Sequence, residues 1–410
     1  MAQRRILWLD QLKAVGFYCV ILGHMCMPAS AINWIYSFHM PLFFLVSGFT
    51  LNLQKTAEAP FRTQVPKLLK RLILPYFWIE MICLCFSYLN TVVIRGQELH
   101  LSKNLLGILV GNGLILPYPT RPMYFALVLF LAQVLLWLIL RLSNGRTAAV
   151  WAVTLALCAF SFLTIGKPMV WRVNVVPVAM LLMLVGTLLR RLYDRLRDPI
   201  ETGNPVWLYL LGAALLAAGF FLQRFNGRLS MAGNRYGDYI PLGLLAAVLT
   251  TVALALFLIR LPVPHVMRII GQNTFFYMGF HRPLITLLEN LFPVWKDSWW
   301  FLTFGSLLIF FGLVPVVLLV NKTCAFLCCK ETDADTAATK LGKYVATALA
   351  LVIPYYYAVL YAVGRFSLSG GAKWALLAAF LPLCAVLTWL VNRFLPVLYL
   401  TKRRTIHDRT

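Results

Sequence analysis

The chain has 410 residues, of which 61% are hydrophobic and only 12% are charged, whereas charged residues make up about a quarter of an ordinary soluble domain. This composition excludes a soluble globular protein and predicts an all-α, polytopic integral membrane protein, because runs long enough to cross a bilayer recur along the chain. The formal net charge of +23 would suit a nucleic-acid-binding protein, but the basic residues stand in short clusters between apolar runs. That distribution is typical of cytoplasmic loops, so we expect no nucleic-acid partner.

About twelve membrane spans are predicted in chain order. They lie near residues 6–27, 34–53, 72–94, 122–140, 148–165, 173–189, 206–222, 239–259, 269–290, 299–320, 344–363 and 375–399. The segment 104–120 is short and contains Gly and Pro, which favours a re-entrant or interfacial segment over a crossing. We therefore predict a ten-span core over 1–322, a polar cytoplasmic linker over 323–343, a further helix pair over 344–400 and a basic tail over 401–410.

The distribution of Lys and Arg orients the chain in the membrane. With a cytoplasmic N-terminus, the inside loops contain Arg4 and Arg5, the basic clusters within 55–71 and 190–197, and the basic residues of 402–409. An excess of positive charge marks the cytoplasmic side of a membrane protein. Both termini are therefore predicted to be cytoplasmic, in a cell (inner or plasma) membrane whose lipid surrounds the protein.

Few ionisable residues lie at the predicted depth of the bilayer, where each is costly unless it is paired or solvated. They are Asp10, Lys13 and His24 in the first span, His39 at the start of the second, Glu80 in the third, and His281 and Arg282 in the ninth. On a helix, Lys13 and His24 share one face and lie about 16 Å apart along the axis. Asp10 is about 21 Å from His24, so a local role beside Lys13 is expected.

Three histidines are predicted to converge near the outer side of the membrane. The uncharged connection between the first two spans brings their outer ends together, so His24 and His39 should lie at similar depth, with Pro41 in the first turn of the second span. His281 falls in the middle to outer half of the ninth span. The plain alternative, an interfacial histidine that water or a carbonyl satisfies, is stronger for His39 than for His24.

Five motifs resemble the acyltransferase family 3 membrane proteins, nearest to the sugar O-acetyltransferases related to fucose 4-O-acetylase. They occur in order as LDQLKAVGFYCVILGH (9–24), FHMPLFFLVSGF (38–49), KLLKRLILPY (67–76), YFALVLFLAQVLL (124–136) and IIGQNTFFYMGFH (269–281). The resemblance covers about residues 5–320. It implies a ten-span core that moves an acyl group, usually acetyl, from cytoplasmic acyl-CoA to a hydroxyl of a cell-surface or lipid-linked carbohydrate.

The resemblance also implies roles for individual residues. His24 ends the first motif and corresponds to the essential catalytic residue. Lys13, three residues after Asp10, stands where Arg is commoner. A basic pair that usually contains two Arg corresponds here to Lys67, Lys70 and Arg71. Because Arg forms a bidentate fork on phosphate and Lys acts as a point charge, these departures bear on donor affinity or register.

A mechanism follows from these positions. Lys67, Lys70 and Arg71 would contact the phosphates of acetyl-CoA (or another acyl-CoA), the co-substrate, with Asp10 and Lys13 nearby; no metal is expected. The extended pantetheine arm, about 15–20 Å long, matches the distance from Lys13 to His24. His24 would act as general base on the acceptor hydroxyl, or would attack the thioester and form an acyl-imidazole; the sequence leaves both open.

The remaining candidates concern the surroundings of His24. His39 or Glu80 would orient His24 or position the acceptor, although a buried ion pair of Glu80 with Lys13 or Arg282 is the slightly favoured alternative. The acceptor is expected to contact His281, Arg282 and Tyr124, which stands where the family usually has Trp. Ser47 and Gly48 fit close helix packing better than nucleophilic catalysis.

Two other functions are compatible with the sequence. A multi-span transporter or flippase of glycolipid or polysaccharide would have a similar number of spans and similar buried charges, although no internal repeat is visible. A non-catalytic family member would also explain the Lys residues that replace Arg. The acceptor, carbohydrate or glycolipid, is not identified by the sequence, and a homodimer is compatible with it.

Overall fold

The computed structural model describes residues 6–25, 27–332 and 336–400. Arg4, Arg5 and the predicted basic tail 401–410 lie outside the described residues, so their cytoplasmic placement stays a prediction. In the described part the chain is almost entirely helical, which confirms the predicted all-α class. The strands described there form one small antiparallel hairpin, β1 (Leu229–Ser230) and β2 (Arg235–Tyr236), in which Leu229 faces Tyr236.

Eighteen α-helices follow one another in the described residues. The first nine are α1 (Leu7–Gly23), α2 (Ala29–Phe49), α3 (Leu53–Glu58), α4 (Phe61–Leu68), α5 (Leu74–Tyr88), α6 (Leu101–Val110), α7 (Tyr124–Leu142), α8 (Thr147–Leu163) and α9 (Val176–Arg195). The others are α10 (Arg197–Thr202), α11 (Pro205–Asn226), α12 (Ile240–Leu258), α13 (His265–Gln272), α14 (Thr274–Leu291), α15 (Ser306–Thr323), α16 (Ala337–Phe366), α17 (Gly370–Ala378) and α18 (Phe380–Phe394).

Each predicted span coincides with helical structure. In the part of the chain that the structure describes, 9 helical runs are long and apolar enough to cross a membrane. The longest run, Phe61–Ile94, has 34 residues. A π-helical turn joins α4 to α5 in this run, and a second one extends α5 to Ile94. Of the remaining predicted spans, α1 and α8 have 17 residues each and α14 contains several ionisable residues. The chain is therefore a multi-pass membrane protein.

Helix α2 begins earlier than predicted. It starts at Ala29, directly after Pro28, and no Gly or Pro interrupts the next eleven residues, so the helix extends well before His39. Pro41 consequently lies in the helix interior, and its predicted place in the first turn is wrong. His39 is ten residues into α2 rather than at its start. It nevertheless lies near His24, because the ring of Tyr36 contacts both imidazoles.

Close helix packing sets the walls of the core. A Cβ at Gly48 of α2 would lie 1.9 Å from the Met183 carbonyl oxygen of α9, so only glycine permits this contact. A Cβ at Gly271 of α13 would likewise lie 1.9 Å from the carbonyl oxygen of Asp10 in α1. The predicted packing role of Gly48 is confirmed, and the second contact fixes α13 beside the start of α1.

The C-terminal helix pair packs against the core through α5. Helix α16 begins at Ala337, inside the segment predicted as a linker. The indole nitrogen of Trp78 in α5 donates to the Leu398 carbonyl oxygen at 2.8 Å, and the Trp78 ring stacks on Tyr399. The buried Lys343 of α16 donates to the Asn392 side-chain oxygen of α18 at 2.9 Å.

Candidate active site

His24 lies at the C-terminal end of α1, where it forms the helix cap. Its backbone carbonyl accepts a hydrogen bond of 3.0 Å from the guanidinium of Arg282 in α14, and Arg282 also lies 3.7 Å from Glu289. The last carbonyls of a helix lack partners in the helix and carry partial negative charge, which a cation stabilises. Arg282, predicted to bind the acceptor, therefore contacts the backbone that positions His24.

The three predicted histidines lie together. The ring of His24 is 5.3 Å from that of His281 and 6.5 Å from that of Tyr36, measured between centroids. Tyr36 is in turn 4.9 Å from His39, and Phe17 packs edge-on against His281 at 5.4 Å. The structure thus brings helices α1, α2 and α14 to one cluster of imidazoles, as the sequence predicted.

Two of these imidazoles have a defined tautomer. Nδ1 of His39 is 2.8 Å from the Ile35 carbonyl oxygen, and Nδ1 of His281 is 3.0 Å from the Tyr277 carbonyl oxygen. A carbonyl can only accept, so each Nδ1 carries the proton and each Nε2 presents a lone pair. Among the described residues, Nε2 of His281 is buried without a hydrogen-bond partner, and the ring of His24 makes no hydrogen bond. The imidazole of His24 is therefore available to a substrate.

A cavity of about 410 Å³ opens beside His24, and we call it the histidine cavity. Helices α1, α2 and α7, the segment before α9 and the β-hairpin contribute to it. Its polar lining residues are His24, Tyr36, His39, Arg121, Tyr124, Arg172, Arg228 and Ser230. The hydroxyl of Tyr124 is buried and lacks a hydrogen-bond partner in the described part of the chain.

The β-hairpin covers this cavity. Its turn places Met231, Ala232 and Gly233 in the cavity wall. The side-chain amide of Asn234 donates to the Ser161 and Thr164 carbonyl oxygens at 2.8 and 2.9 Å, which attaches the hairpin to the end of α8. The sequence did not reveal this cover, because two-residue strands leave no alternation of apolar and polar residues.

A second cavity of about 730 Å³ lies at the other end of α1, and we call it the basic cavity. Its cationic lining residues are Lys13, Lys55, Lys67, Arg71 and Lys330, and amides line it as well. Lys13 forms an ion pair of 2.8 Å with Asp10, which confirms the predicted local role of Asp10. Lys70 is exposed and does not line the cavity, so the structure separates it from Lys67 and Arg71.

Cys329 also lines the basic cavity. Desolvation raises the pKa of its thiol well above the usual value. The thiolate is the nucleophilic form of cysteine, so this residue is a poor nucleophile at neutral pH. Cys329 is therefore not an activated nucleophile.

A smaller cavity of about 150 Å³ continues from the basic cavity along α1. Lys13, Ser47 and Thr274 line both of them. Its far side is formed by residues such as Met123, whose neighbour Tyr124 lines the histidine cavity. This small, mostly apolar cavity therefore extends the basic cavity toward the histidine cavity, although it shares no lining residue with the histidine cavity.

Glu80 has a different partner from the one predicted. The fully buried carboxylate of Glu80 accepts hydrogen bonds from the backbone N–H of Thr120, at 3.0 Å, and from the Thr120 hydroxyl. Lys13 pairs with Asp10 and Arg282 with Glu289, so the predicted ion pair of Glu80 with Lys13 or Arg282 is wrong. The hydrogen bonds of Glu80 therefore hold the loop that precedes Arg121. They do not orient the ring of His24. A loop N–H cannot be identified as a partner from sequence.

Sequence reasoning missed several cationic residues of both cavities. They are Arg121, Arg172 and Arg228 in the histidine cavity, and Lys55 and Lys330 in the basic cavity. Arg172 precedes a predicted span on the predicted outer side, where positive charge is unusual, and this was a usable signal. In the described ranges, no group of His, Cys, Asp and Glu side chains is placed to hold a metal ion.

Comparison with known proteins agrees with this architecture. A family model described as an acyltransferase domain, that of acyltransferase family 3, matches residues 6–320, which is well over half of the chain. No curated protein and no solved structure matches the chain. The matched region contains α1 to α14, and with them the residues of both cavities except Lys330 and its neighbours. The chain is a membrane acyltransferase and belongs to acyltransferase family 3.

Proposed function

We propose that the protein transfers an acetyl group from acetyl-CoA, bound in the basic cavity, to a carbohydrate hydroxyl in the histidine cavity. One observation carries the proposal: Lys13 and His24 of α1 line two separate cavities, and a small apolar cavity extends from the first toward the second. A donor that must reach a distant base needs such an arrangement. A transporter would need a path wide enough for the whole substrate.

The basic cavity suits the nucleotide end of the donor. Lys55, Lys67 and Arg71 supply cations for the phosphates, and the side-chain amides around them supply further donors. The pantetheine arm would extend past Ser47 and Thr274 into the small apolar cavity between the two larger ones. Its length of about 15–20 Å compares with about 16 Å along α1 between Lys13 and His24. The thioester would then lie beside the imidazole.

The chemistry at His24 is a proton transfer coupled to acyl transfer. His24 removes the proton from the acceptor hydroxyl, and the oxygen attacks the thioester carbonyl carbon. The tetrahedral intermediate collapses as the carbon–sulfur bond breaks, and the imidazolium returns its proton to the departing thiolate. The products are an acetyl ester and CoA. Imidazole suits both steps because its ordinary pKa lies near neutrality.

The neighbours of His24 would orient it for this reaction. Nε2 of His281 has no hydrogen-bond partner among the described residues and lies close to the His24 ring. It can accept a hydrogen bond from the N–H of His24, which leaves the other ring nitrogen of His24 to act as base. Arg282 holds the backbone of His24 through its carbonyl. Such support matters because a base acts only within hydrogen-bond reach of the proton it takes.

The proposed topology puts the donor in the cytoplasm and the acceptor on the outer side. With both termini cytoplasmic, the start of α1 and the basic cavity face the cytoplasm. The histidine cavity then faces outward, where cell-surface or lipid-linked carbohydrate is available. Its volume of about 410 Å³ lies in the range of small-ligand sites.

A labelling experiment tests the proposal. Purified full-length protein in proteoliposomes receives acetyl-CoA with a radiolabelled acetyl group and carbohydrate from the cell envelope. We expect label in the carbohydrate with the wild type, and a loss of at least about a hundredfold for His24→Ala, which removes the base. His265→Ala, an exposed histidine at the start of α13, is the matched control and should retain activity. Carbohydrate that crosses the membrane without acquiring label would contradict the proposal.

A further inference from the structure

Arg172 lies in the wall of the histidine cavity with only 6% of its surface exposed. Its guanidinium stands over the ring of Tyr124 at 4.9 Å, and within the described residues it has no hydrogen-bond acceptor, while its Nε is buried without a partner. A buried cation without an acceptor is costly, and native proteins normally pair or neutralise it. The free guanidinium therefore indicates a ligand that supplies the acceptor.

The backbone holds Arg172 in an unusual conformation. Trp171 and Arg172 both have left-handed φ values, 52° and 49°, which residues other than glycine rarely adopt. Two neighbouring contacts fix the segment: the Trp171 indole donates to the Leu109 carbonyl at 2.7 Å, and Asn112 donates to the Met169 carbonyl at 2.8 Å. Strain that the surroundings maintain is found at functional sites more often than elsewhere.

The histidine cavity has a one-sided charge. Arg121, Arg172 and Arg228 line it, and the lining contains no Asp or Glu among the described residues. Arg228 stands over the ring of Tyr36 at 4.7 Å, as Arg172 does over Tyr124. A guanidinium that lies on an aromatic ring keeps N–H donors for a planar anion. Glu80, the buried acid of α5, does not line the cavity and is hydrogen-bonded to Thr120.

We infer that the acceptor bound in the histidine cavity is an acidic saccharide, whose carboxylate or phosphate contacts Arg172 while one of its hydroxyls faces His24. This inference rests on the proposed acyl transfer, because it names the substrate class of that reaction. The donor phosphates do not explain the arginines, since the basic cavity at the far end of α1 has its own cations. Arg forms bidentate contacts with carboxylate and phosphate, which adds orientation to charge.

The experiment compares three glycosides that share the same ring hydroxyls but differ in charge at carbon 6. They are methyl glucoside, methyl glucuronide and methyl glucoside 6-phosphate. Binding to full-length protein in nanodiscs is measured by NMR saturation transfer, and acetylation is measured with labelled acetyl-CoA. We expect at least one charged glycoside to bind about tenfold or more tightly than the neutral one. The charged glycoside that binds more tightly shows whether the anionic group of the natural acceptor is a carboxylate or a phosphate.

Variants show whether Arg172 causes the preference. Arg172→Gln should remove the preference for the charged glycoside, and Arg172→Lys should restore part of it, because the charge returns without the fork. Arg235 lies in the β-hairpin but does not line the cavity. Arg235→Gln should therefore leave the preference for the charged glycoside unchanged. Arg228→Gln, at an exposed position, should reduce the preference, and it keeps the test valid if Arg172→Gln fails to fold.

The outcomes separate this inference from the proposed function. Equal binding of charged and neutral glycosides, or a preference that survives both Arg172→Gln and Arg228→Gln, would overturn the inference. Transfer of acetyl to the neutral glycoside at the same rate would also overturn it, while acyl transfer itself would stand. A preference that depends on Arg172, without acetylation of any glycoside, would support the acidic-ligand site and count against the proposed acyl transfer.

Discussion

The two cavities at the ends of α1 use different cations. The cations of the basic cavity, which has about 730 Å³, are four lysines and one arginine, with Lys67 and Arg71 at exposed positions. The histidine cavity, at about 410 Å³, is lined by arginines, two of them on tyrosine rings, and by imidazoles. The flexible ammonium groups of lysines can follow several phosphates in changing positions. The planar guanidinium groups of arginines hold one anionic group in a fixed orientation. The comparison indicates that the basic cavity supplies affinity for the donor, and that the histidine cavity orients the acceptor.

A first test concerns the helix contact that supports walls of both cavities, and we expect it to have the largest effect. Gly48→Ala places a Cβ 1.9 Å from the Met183 carbonyl oxygen, so α2 and α9 must separate. Overpacking of this kind costs about 1–3 kcal/mol, and we expect a lower thermal midpoint and loss of both binding activities. Gly364→Ala in α16 is the control, since a Cβ there has open space. Equal stability of the two variants would contradict the packing described.

His281, which contacts the ring of His24 but does not itself line the histidine cavity, provides a second test. His281→Ala removes the acceptor nitrogen beside His24 and should lower kcat by about a hundredfold, or about 2.7 kcal/mol in barrier, with little change in the KM for acetyl-CoA. Steady-state kinetics with both substrates varied measure this. If the KM for acetyl-CoA rises instead while kcat is unchanged, His281 acts in donor binding and the division between the cavities fails.

A third test separates a structural Glu80 from a catalytic one. Glu80→Gln keeps an oxygen that accepts from Thr120, so we expect kcat within about tenfold of the wild type. Thr120→Val removes the hydroxyl donor and should destabilise the protein by about 1–3 kcal/mol, because a buried acceptor loses a partner. Thermal unfolding and kinetics of both variants are compared. A loss of activity in Glu80→Gln as large as in His24→Ala would restore Glu80 to the catalytic residues.

The smallest expected effect lies in the basic cavity. Lys67→Gln should raise the KM for acetyl-CoA several-fold with kcat unchanged, because several exposed cations share the phosphates and each contributes little. Lys70→Gln is the control, since Lys70 has similar exposure but does not line the cavity. Equal effects of the two substitutions on KM would show that the donor binds outside this cavity.

The sequence predicted the histidine cluster better than its surroundings. His24, His39 and His281 sit on helices whose apolar length and hairpin connection fix their depth, so their convergence followed from helix geometry. Arg172 and Arg228 lie in short connections, where no periodic pattern indicates which side chains meet. The late predicted start of α2 came from treating the residues after Pro28 as loop, although they continue the helix. The partner of Glu80 is a loop residue, and the sequence held no sign of it.

In the proposed reaction, donor and acceptor occupy different ends of α1. The most direct measurement determines, on one preparation of each variant, the Kd for acetyl-CoA and the rate of transfer at saturating acetyl-CoA. His24→Ala should bind acetyl-CoA with wild-type affinity and transfer less than about 1% as fast, whereas the double variant Lys67→Gln with Arg71→Gln should bind at least several-fold more weakly and keep its saturated rate. Weakened donor binding in His24→Ala, or a saturated rate lost in the double variant, would contradict the claim.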